Sequence, residues 1–250
     1  MTLWLYGMVT VLGVIIGSFL NVCIHRLPLR QSVVFPGSRC PHCETSIPFY
    51  DNLPLVSFLI LRGRCRSCGG GISWQYPLVE FLNGVGYLFL FLKFGPTPKA
   101  LLYAAFFSTL LVISLIDLQH QIIPDRLTLP GMGVGLIAST FVLPTGMINA
   151  LLGLLLGGGL FYLVAVISRG GMGGGDIKLL AMIGAFLGWM DVLLIILVAS
   201  FFGSLTGLSL MVFKGKNRKY PVPFGPFLAL GALVALFFDG ELFGWYLGSR

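Results

Sequence analysis

The sequence predicts an all-α polytopic membrane protein with about eight transmembrane helices. Of its 250 residues, 56% are hydrophobic and only 10% are charged, and the mean hydropathy is +0.93. Soluble domains contain roughly a quarter charged residues, so this composition excludes a soluble globular fold. The 34 Gly, 21 Phe and 5 Cys also fit no collagen-like, disordered or disulfide-rich secreted chain.

Long apolar runs with few or no charges recur along the whole chain, and about 20 such residues let a helix cross a bilayer. The runs cover residues 3–24, 77–95, 99–119, 128–143, 147–168, 177–190, 191–213 and 224–246. The fourth and sixth runs are short, so we expect these helices to tilt little, to fray into a loop or to stop short of the far face.

The basic residues predict the orientation in the membrane. When the runs alternate across the bilayer, one face collects most of the Lys and Arg, and the other face has only Lys93, Lys99 and Arg250. Cytoplasmic loops carry an excess of Lys and Arg, so we expect the basic face in the cytoplasm and both termini outside. This asymmetry accounts for the formal net charge of +7. We therefore expect the lipid bilayer, and no nucleic acid, as a partner of the basic residues.

Residues 25–76, here called the cysteine loop, form an extended polar stretch after the first run. The loop contains two CxxC pairs, Cys40 with Cys43 and Cys65 with Cys68. Four thiolates from two such knuckles suit a tetrahedral Zn²⁺ site, which predicts a zinc-ribbon-like loop in the cytoplasm. A reducing cytoplasm disfavours two disulfides, and an iron–sulfur centre is the main alternative.

Acidic residues in or beside membrane spans are costly, so each is a candidate functional residue. Asp117 lies near the end of the third run, and Asp176 follows the glycine-rich stretch 170–175. Alternate crossing places both at the cytoplasmic face, where two neighbouring carboxylates can share a proton and activate water for attack on a peptide carbonyl. The same pattern fits aspartates that cap helices or bind a lysine such as Lys178, so the residues alone leave both interpretations open.

Four other polar or reactive side chains are expected to have structural roles. Cys23 lies in an apolar run and is expected to pack there, while His42 is expected to face solvent from inside its knuckle. Asp125 follows a proline and precedes an apolar run, so we expect it to cap a helix. Glu80 is expected to pair with a basic residue of the cysteine loop.

Taken together, these motifs resemble the type IV prepilin peptidases, which are bifunctional leader peptidases and N-methyltransferases among the GxGD aspartic membrane proteases. The resemblance covers most of the chain and is specific because its parts occur in the family's order. The parts are GSFLNV at 17–22, HRLP at 25–28, the two CxxC pairs, IPFYDNLP at 47–54, YPLVE at 76–80, Ile116-Asp117 with Pro124-Asp125, and GGGDIK at 173–178. One departure is Gln119, where many relatives have an acidic residue.

The resemblance implies that Asp117 and Asp176 are the catalytic pair of a bacterial inner-membrane endopeptidase. Its substrates would be type IV prepilins and pilin-like secretion precursors, cut after a glycine at the cytoplasmic face. The four cysteines favour the bifunctional form, which methylates the new N-terminal residue with S-adenosylmethionine. The sequence has no glycine fingerprint of a dinucleotide-type site, so the residues that bind S-adenosylmethionine are unknown.

These expectations divide the chain into three parts. Residues 1–24 form the first transmembrane helix, and residues 25–76 form the zinc-binding loop and candidate methyltransferase region. Residues 77–250 form a seven-helix membrane protease core.

Three alternative functions fit parts of this sequence. A membrane transporter or channel with a regulatory zinc ribbon would line an ion path with Asp117, Asp176 and Glu80, but the inverted repeats that would support it are not seen in the sequence. An assembly scaffold would bind pilins without cutting them, and a single-activity leader peptidase would lack methyl transfer. Neither the transporter nor the scaffold accounts for a glycine run that leads directly into Asp176.

Overall fold

The computed structural model describes residues 2–169, 171–214 and 222–238, and these residues form helices and no β-strand. Nine α-helices follow one another in this described part of the chain. They are α1 (Thr2–Arg26), α2 (Val56–Ile60), α3 (Gln75–Phe94), α4 (Pro98–His120), α5 (Asp125–Phe141), α6 (Met147–Ile167), α7 (Gly174–Leu187), α8 (Trp189–Lys214) and α9 (Gly225–Phe237).

The predicted fold class, an all-α polytopic membrane protein, is confirmed. Helices α1, α3, α4, α6 and α8 are long and apolar enough to cross a membrane. Helices α5, α7 and α9 match the remaining apolar runs but have only 17, 14 and 13 residues. The count of eight spans therefore stays a prediction.

Some sequence predictions fall outside the described residues. The end of the last apolar run, residues 239–246, is one of them, and so is Gly170 of the glycine-rich stretch. Four basic residues used for the orientation also lie there, namely Lys216, Arg218, Lys219 and Arg250.

The chain divides into two compact units, Met1–Val112 and Ile113–Arg250, and the boundary falls within α4. The sequence predicted three parts with boundaries after residues 24 and 76, and that three-part division stays a prediction.

In the first unit, α1 packs antiparallel against α3 through small residues. A Cβ atom at Gly13 would lie 2.9 Å from the Gly84 Cα, and one at Gly17 would lie 2.7 Å from the Glu80 Cα. The Asn83 amide donates to the Gly13 carbonyl at 2.7 Å. Such spacing of small residues lets two membrane helices approach closely and bond across their contact.

In the second unit, α7 is the central helix. Every residue from Leu179 to Phe186 is buried, as expected for a helix that is apolar on all sides. Its contact with α6 is a backbone contact, because a Cβ atom at Gly184 would clash with the carbonyl of Gly153. Its contact with α5 includes a hydrogen bond from the Ser139 hydroxyl to the Ala185 carbonyl at 2.9 Å. The C-terminal half of α7 is therefore held in place from two sides.

We predict that Gly184→Ala destabilises the second unit. The added methyl group meets backbone atoms of Gly153 that cannot move aside cheaply, so we expect the free energy of unfolding to fall by about 1–3 kcal/mol. Thermal unfolding in detergent measures this change. Gly159→Ala in α6 is the matched control, since a Cβ there meets nothing within 4 Å. Equal melting temperatures for the two variants would contradict the prediction.

Candidate active site and metal centre

The carboxylate of Asp117 is held by the start of α9. Asp117 lies in the last turn of α4 and is only 5% exposed. Its Oδ2 atom accepts a hydrogen bond from the Gly225 N–H at 2.8 Å. A Cβ atom at position 225 would lie 2.8 Å from the same oxygen, so this close approach requires glycine.

Asp176 lies in the first turn of α7 and is half-buried. The glycine run before it lets this segment pack against the turn between α4 and α5. A Cβ atom at Gly175 would lie 2.8 Å from the Cβ of Ile123. The absence of a side chain at Gly175 therefore brings Asp176 close to the segment that follows Asp117.

The two aspartates line the same cavity, which has a volume of about 280 Å³. Its lining comes from the end of α4, the turn after it, the start of α5 and the glycine run before Asp176. The lining residues are Asp117, Gln121, Ile122, Ile123, Asp125, Gly173, Gly174, Gly175 and Asp176. Two carboxylates that face one space large enough to admit water can share a proton and activate a water molecule.

Asp125 also lines the cavity, but its carboxylate is already paired. Lys178 Nζ lies 2.7 Å from Asp125 Oδ1 and 2.8 Å from Oδ2. The expectation that Asp125 caps α5 is wrong, because Pro124 occupies the cap position and no side chain caps the helix. Lys178, which the sequence offered as a possible partner of the candidate aspartates, pairs with Asp125.

Two groups at the site were missed by the sequence analysis. One is the Gly225 N–H, for which the only signal is a glycine before Pro226 at the start of an apolar run. The other is Gln121, which lines the cavity with a left-handed φ of 54°. Its N–H donates to the Asp117 carbonyl at 2.9 Å, so this residue turns the chain from α4 into the cavity wall.

The four predicted cysteine ligands lie together in the cysteine loop. The Sγ atoms of Cys40, Cys43, Cys65 and Cys68 all lie within 4.8 Å of one another, and those of Cys40 and Cys68 are 3.8 Å apart. Zn–S bonds of about 2.3 Å in a tetrahedron place sulfur atoms about 3.8 Å apart. The cluster therefore has the size and the ligand type of a zinc site and could hold this ion.

The two knuckles have the same backbone design. The Cys40 N–H donates to the Thr45 carbonyl at 3.0 Å, and the Cys65 N–H donates to the Gly70 carbonyl at 2.8 Å. An isolated antiparallel bridge closes each turn. His42 is exposed as expected, with Nε2 at 3.3 Å from the Gly71 carbonyl oxygen. The two turns thus present their thiols in equivalent ways.

Hydrogen bonds adjust the acidity of the clustered thiols. The hydroxyl and amide of Thr45 lower the pKa of Cys43 to about 6, and backbone amides, first that of Cys68, lower the pKa of Cys65. The Gly70 amide also lowers the pKa of Cys68, but the neighbouring thiols and burial outweigh it and raise this pKa to about 11. Part of the cluster is therefore ready to bind a cation as thiolate.

Two carboxylates support the fold of the cysteine loop. Glu80 of α3 is 6% exposed, and its Oε2 accepts a hydrogen bond from the Leu55 N–H at 2.8 Å. The prediction that Glu80 pairs with a basic residue is thus wrong. The turn before α2 folds onto α3 and offers a backbone amide instead. Asp51 forms a two-pronged ion pair with Arg66 of the second knuckle, which lowers the pKa of the Asp51 carboxyl. Cys23 is buried in α1 as expected.

Two known protein families match the chain, one over the part that contains the cysteine loop and one over the part that contains the two aspartates. Residues 11–94 match the bacterial peptidase A24 N-terminal domain, which includes the four cysteines. Residues 104–208 match the type IV leader peptidase family, which includes Asp117 and Asp176. No solved structure matches the chain significantly.

Three relatives, each named prepilin leader peptidase/N-methyltransferase, are similar over nearly their whole length. The protein of Stutzerimonas stutzeri is 37% identical, and the match covers 95% of this chain and 92% of the relative. The Legionella pneumophila protein is 36% identical, and the match covers 98% of this chain and 95% of the relative. The Pseudomonas aeruginosa protein is 36% identical, and the match covers 94% of this chain and 91% of the relative. Because such identity extends from the cysteine loop through the aspartate cavity, the chain belongs to the type IV leader peptidase family.

Proposed function

We propose that this enzyme is a bifunctional prepilin leader peptidase and N-methyltransferase. It cleaves the leader of type IV prepilins and pilin-like secretion precursors after a glycine, and then methylates the new N-terminal residue with S-adenosylmethionine. The observation that carries the peptidase half is that Asp117 and Asp176 line the same cavity. The methyltransferase half is supported by the names of the relatives and by the four cysteines.

In the proposed cleavage, Asp117 and Asp176 share one proton. The ionised carboxylate takes a proton from a water molecule while the water oxygen attacks the scissile carbonyl. The protonated carboxyl gives its proton to the leaving amine. The Gly225 N–H holds one oxygen of Asp117, and we assign the other oxygen to the water. This assignment makes the two aspartates the catalytic residues.

For the cysteine loop, we propose that Cys40, Cys43, Cys65 and Cys68 bind one structural Zn²⁺. The ion would join the two knuckles and order residues 25–76, which we propose as the methyltransferase region. S-adenosylmethionine supplies the methyl group when bound. The chain's own contribution at this loop is the support that Glu80 and the Asp51–Arg66 pair provide.

The proposed location is the bacterial inner membrane, with the cysteine loop and the aspartate cavity at the cytoplasmic face and both termini in the periplasm. The asymmetric distribution of Lys and Arg supports this orientation. Within it, residues 1–24 are the first span, residues 25–76 the zinc-binding loop and residues 77–250 the seven-helix protease core.

Mass spectrometry of a prepilin tests both activities at once. The full chain is purified in detergent and incubated with the precursor, with and without S-adenosylmethionine. We expect loss of the leader in both samples and a further mass gain of one methylene unit only with the methyl donor. Cleavage without the gain would favour a single-activity peptidase, and an intact precursor in both samples would reject the proposal.

We predict that Asp117→Asn or Asp176→Asn lowers leader cleavage by about a hundredfold or more, because either change removes the shared proton. Gel or mass analysis of the precursor measures the rate. As an internal control, each variant should still methylate a pilin whose leader has already been removed. A parental cleavage rate in either variant would refute the assignment.

We predict that Gly225→Ala slows cleavage about tenfold or more, because the methyl group displaces the Asp117 carboxylate from its position. The turnover rate at saturating prepilin is the measurement. Gly207→Ala in α8 serves as control, since a Cβ there meets nothing within 4 Å. Equal rates for the two variants would show that the Gly225 contact does not position Asp117.

We predict one Zn²⁺ per chain, bound by the four cysteines. Elemental analysis should find the metal in the parent protein and in Cys23→Ala, but not in a Cys40→Ser, Cys65→Ser double variant. Methyl transfer should fall more than cleavage in the double variant, because the aspartates belong to other helices. Unchanged zinc content in the double variant would disprove the site.

A further inference from the structure

The ion pair between Asp125 and Lys178 has no part in the proposed chemistry, yet it lies at the cavity. Asp125 is the first residue of α5, and Lys178 is the fifth residue of α7. The ammonium group contacts both carboxylate oxygens, at 2.7 and 2.8 Å. This two-pronged contact joins elements that are 53 residues apart in sequence.

Each partner is connected to one catalytic aspartate by a short path. A turn of four residues, 121–124, links the end of α4, which carries Asp117, to Asp125. Lys178 follows Asp176 by two residues in the same helix. Because residues two apart point to different sides of a helix, Lys178 can hold the start of α7 without occupying the Asp176 carboxylate.

A steric contact joins the same two segments. Gly175 packs directly on Ile123, so the turn and the start of α7 cannot move closer together. The ion pair opposes their separation, and the Gly175 contact opposes their approach. The spacing of the segments that carry the two aspartates is then limited in both directions.

We infer that Asp125 and Lys178 are positioning residues that set the distance between Asp117 and Asp176 through the starts of α5 and α7. The inference rests on the proposed function of the two aspartates. The side chains of Lys178 and Asp125 are 39% and 54% exposed, and exposed ion pairs add little to stability. Loss of the pair should therefore alter catalysis without unfolding the protein, since a displacement of about 1 Å at a reacting group can slow a reaction about a hundredfold.

A double-mutant cycle in the full chain, reconstituted in liposomes with a prepilin, tests this inference. We expect Asp125→Asn and Lys178→Gln each to lower kcat about tenfold, with KM within about twofold of the parent and an unchanged melting temperature. The double variant should be no slower than the slower single variant, because both changes break the same contact. Lys178→Arg should retain most activity, since guanidinium also pairs with two carboxylate oxygens.

The matched control is Arg126→Gln, which neutralises the exposed residue next to Asp125 and should leave kcat at the parental value. Parental rates in both single variants would overturn the inference. So would effects that multiply in the double variant, because Asp125 would then act in the chemistry independently of Lys178. Active Asp117→Asn and Asp176→Asn variants would instead reject the proposed function itself.

Discussion

Close packing at glycine positions is the constraint on which the aspartate cavity depends. Gly184 lets α7 lie directly on the backbone of α6, which fixes α7 at the centre of the second unit. Gly175 then brings the start of this helix onto Ile123, and Gly225 brings the amide of α9 onto Asp117. A side chain at Gly184 would separate α7 from α6, and one at Gly175 or Gly225 would meet Ile123 or Asp117 at the cavity, so small residues here serve the chemistry as well as the packing.

The three short helices of the second unit share a second feature. Helices α5, α7 and α9 all begin near the cavity: Asp125 is the first residue of α5, Asp176 lies in the first turn of α7, and Gly225 begins α9. The unpaired N–H groups and the positive end of the dipole at a helix start favour nearby carboxylates. Three helix starts around the acidic residues give the apolar second unit a place where such groups can be tolerated.

The cysteine loop uses a different physical principle. It has few buried apolar residues, so its shape depends on backbone turns, the Asp51–Arg66 pair and the bond from Leu55 to Glu80. A metal ion bound by four thiolates would add the strong crosslink that a short polar segment otherwise lacks. The proposed zinc and the proposed aspartate pair therefore belong to separate units, each stabilised in its own way.

The sequence by itself determined the membrane class, the apolar helices, the two knuckles and the two candidate aspartates. These features follow from composition and from spacings within a few residues, which are local properties of the chain. Only the tertiary structure decided that Asp125 pairs with Lys178, that Glu80 binds the Leu55 amide and that Gly225 holds Asp117. Those partners are 53, 25 and 108 residues apart, and the packing of helices determines which distant groups meet, because periodicity within a run specifies its apolar character but not its neighbours.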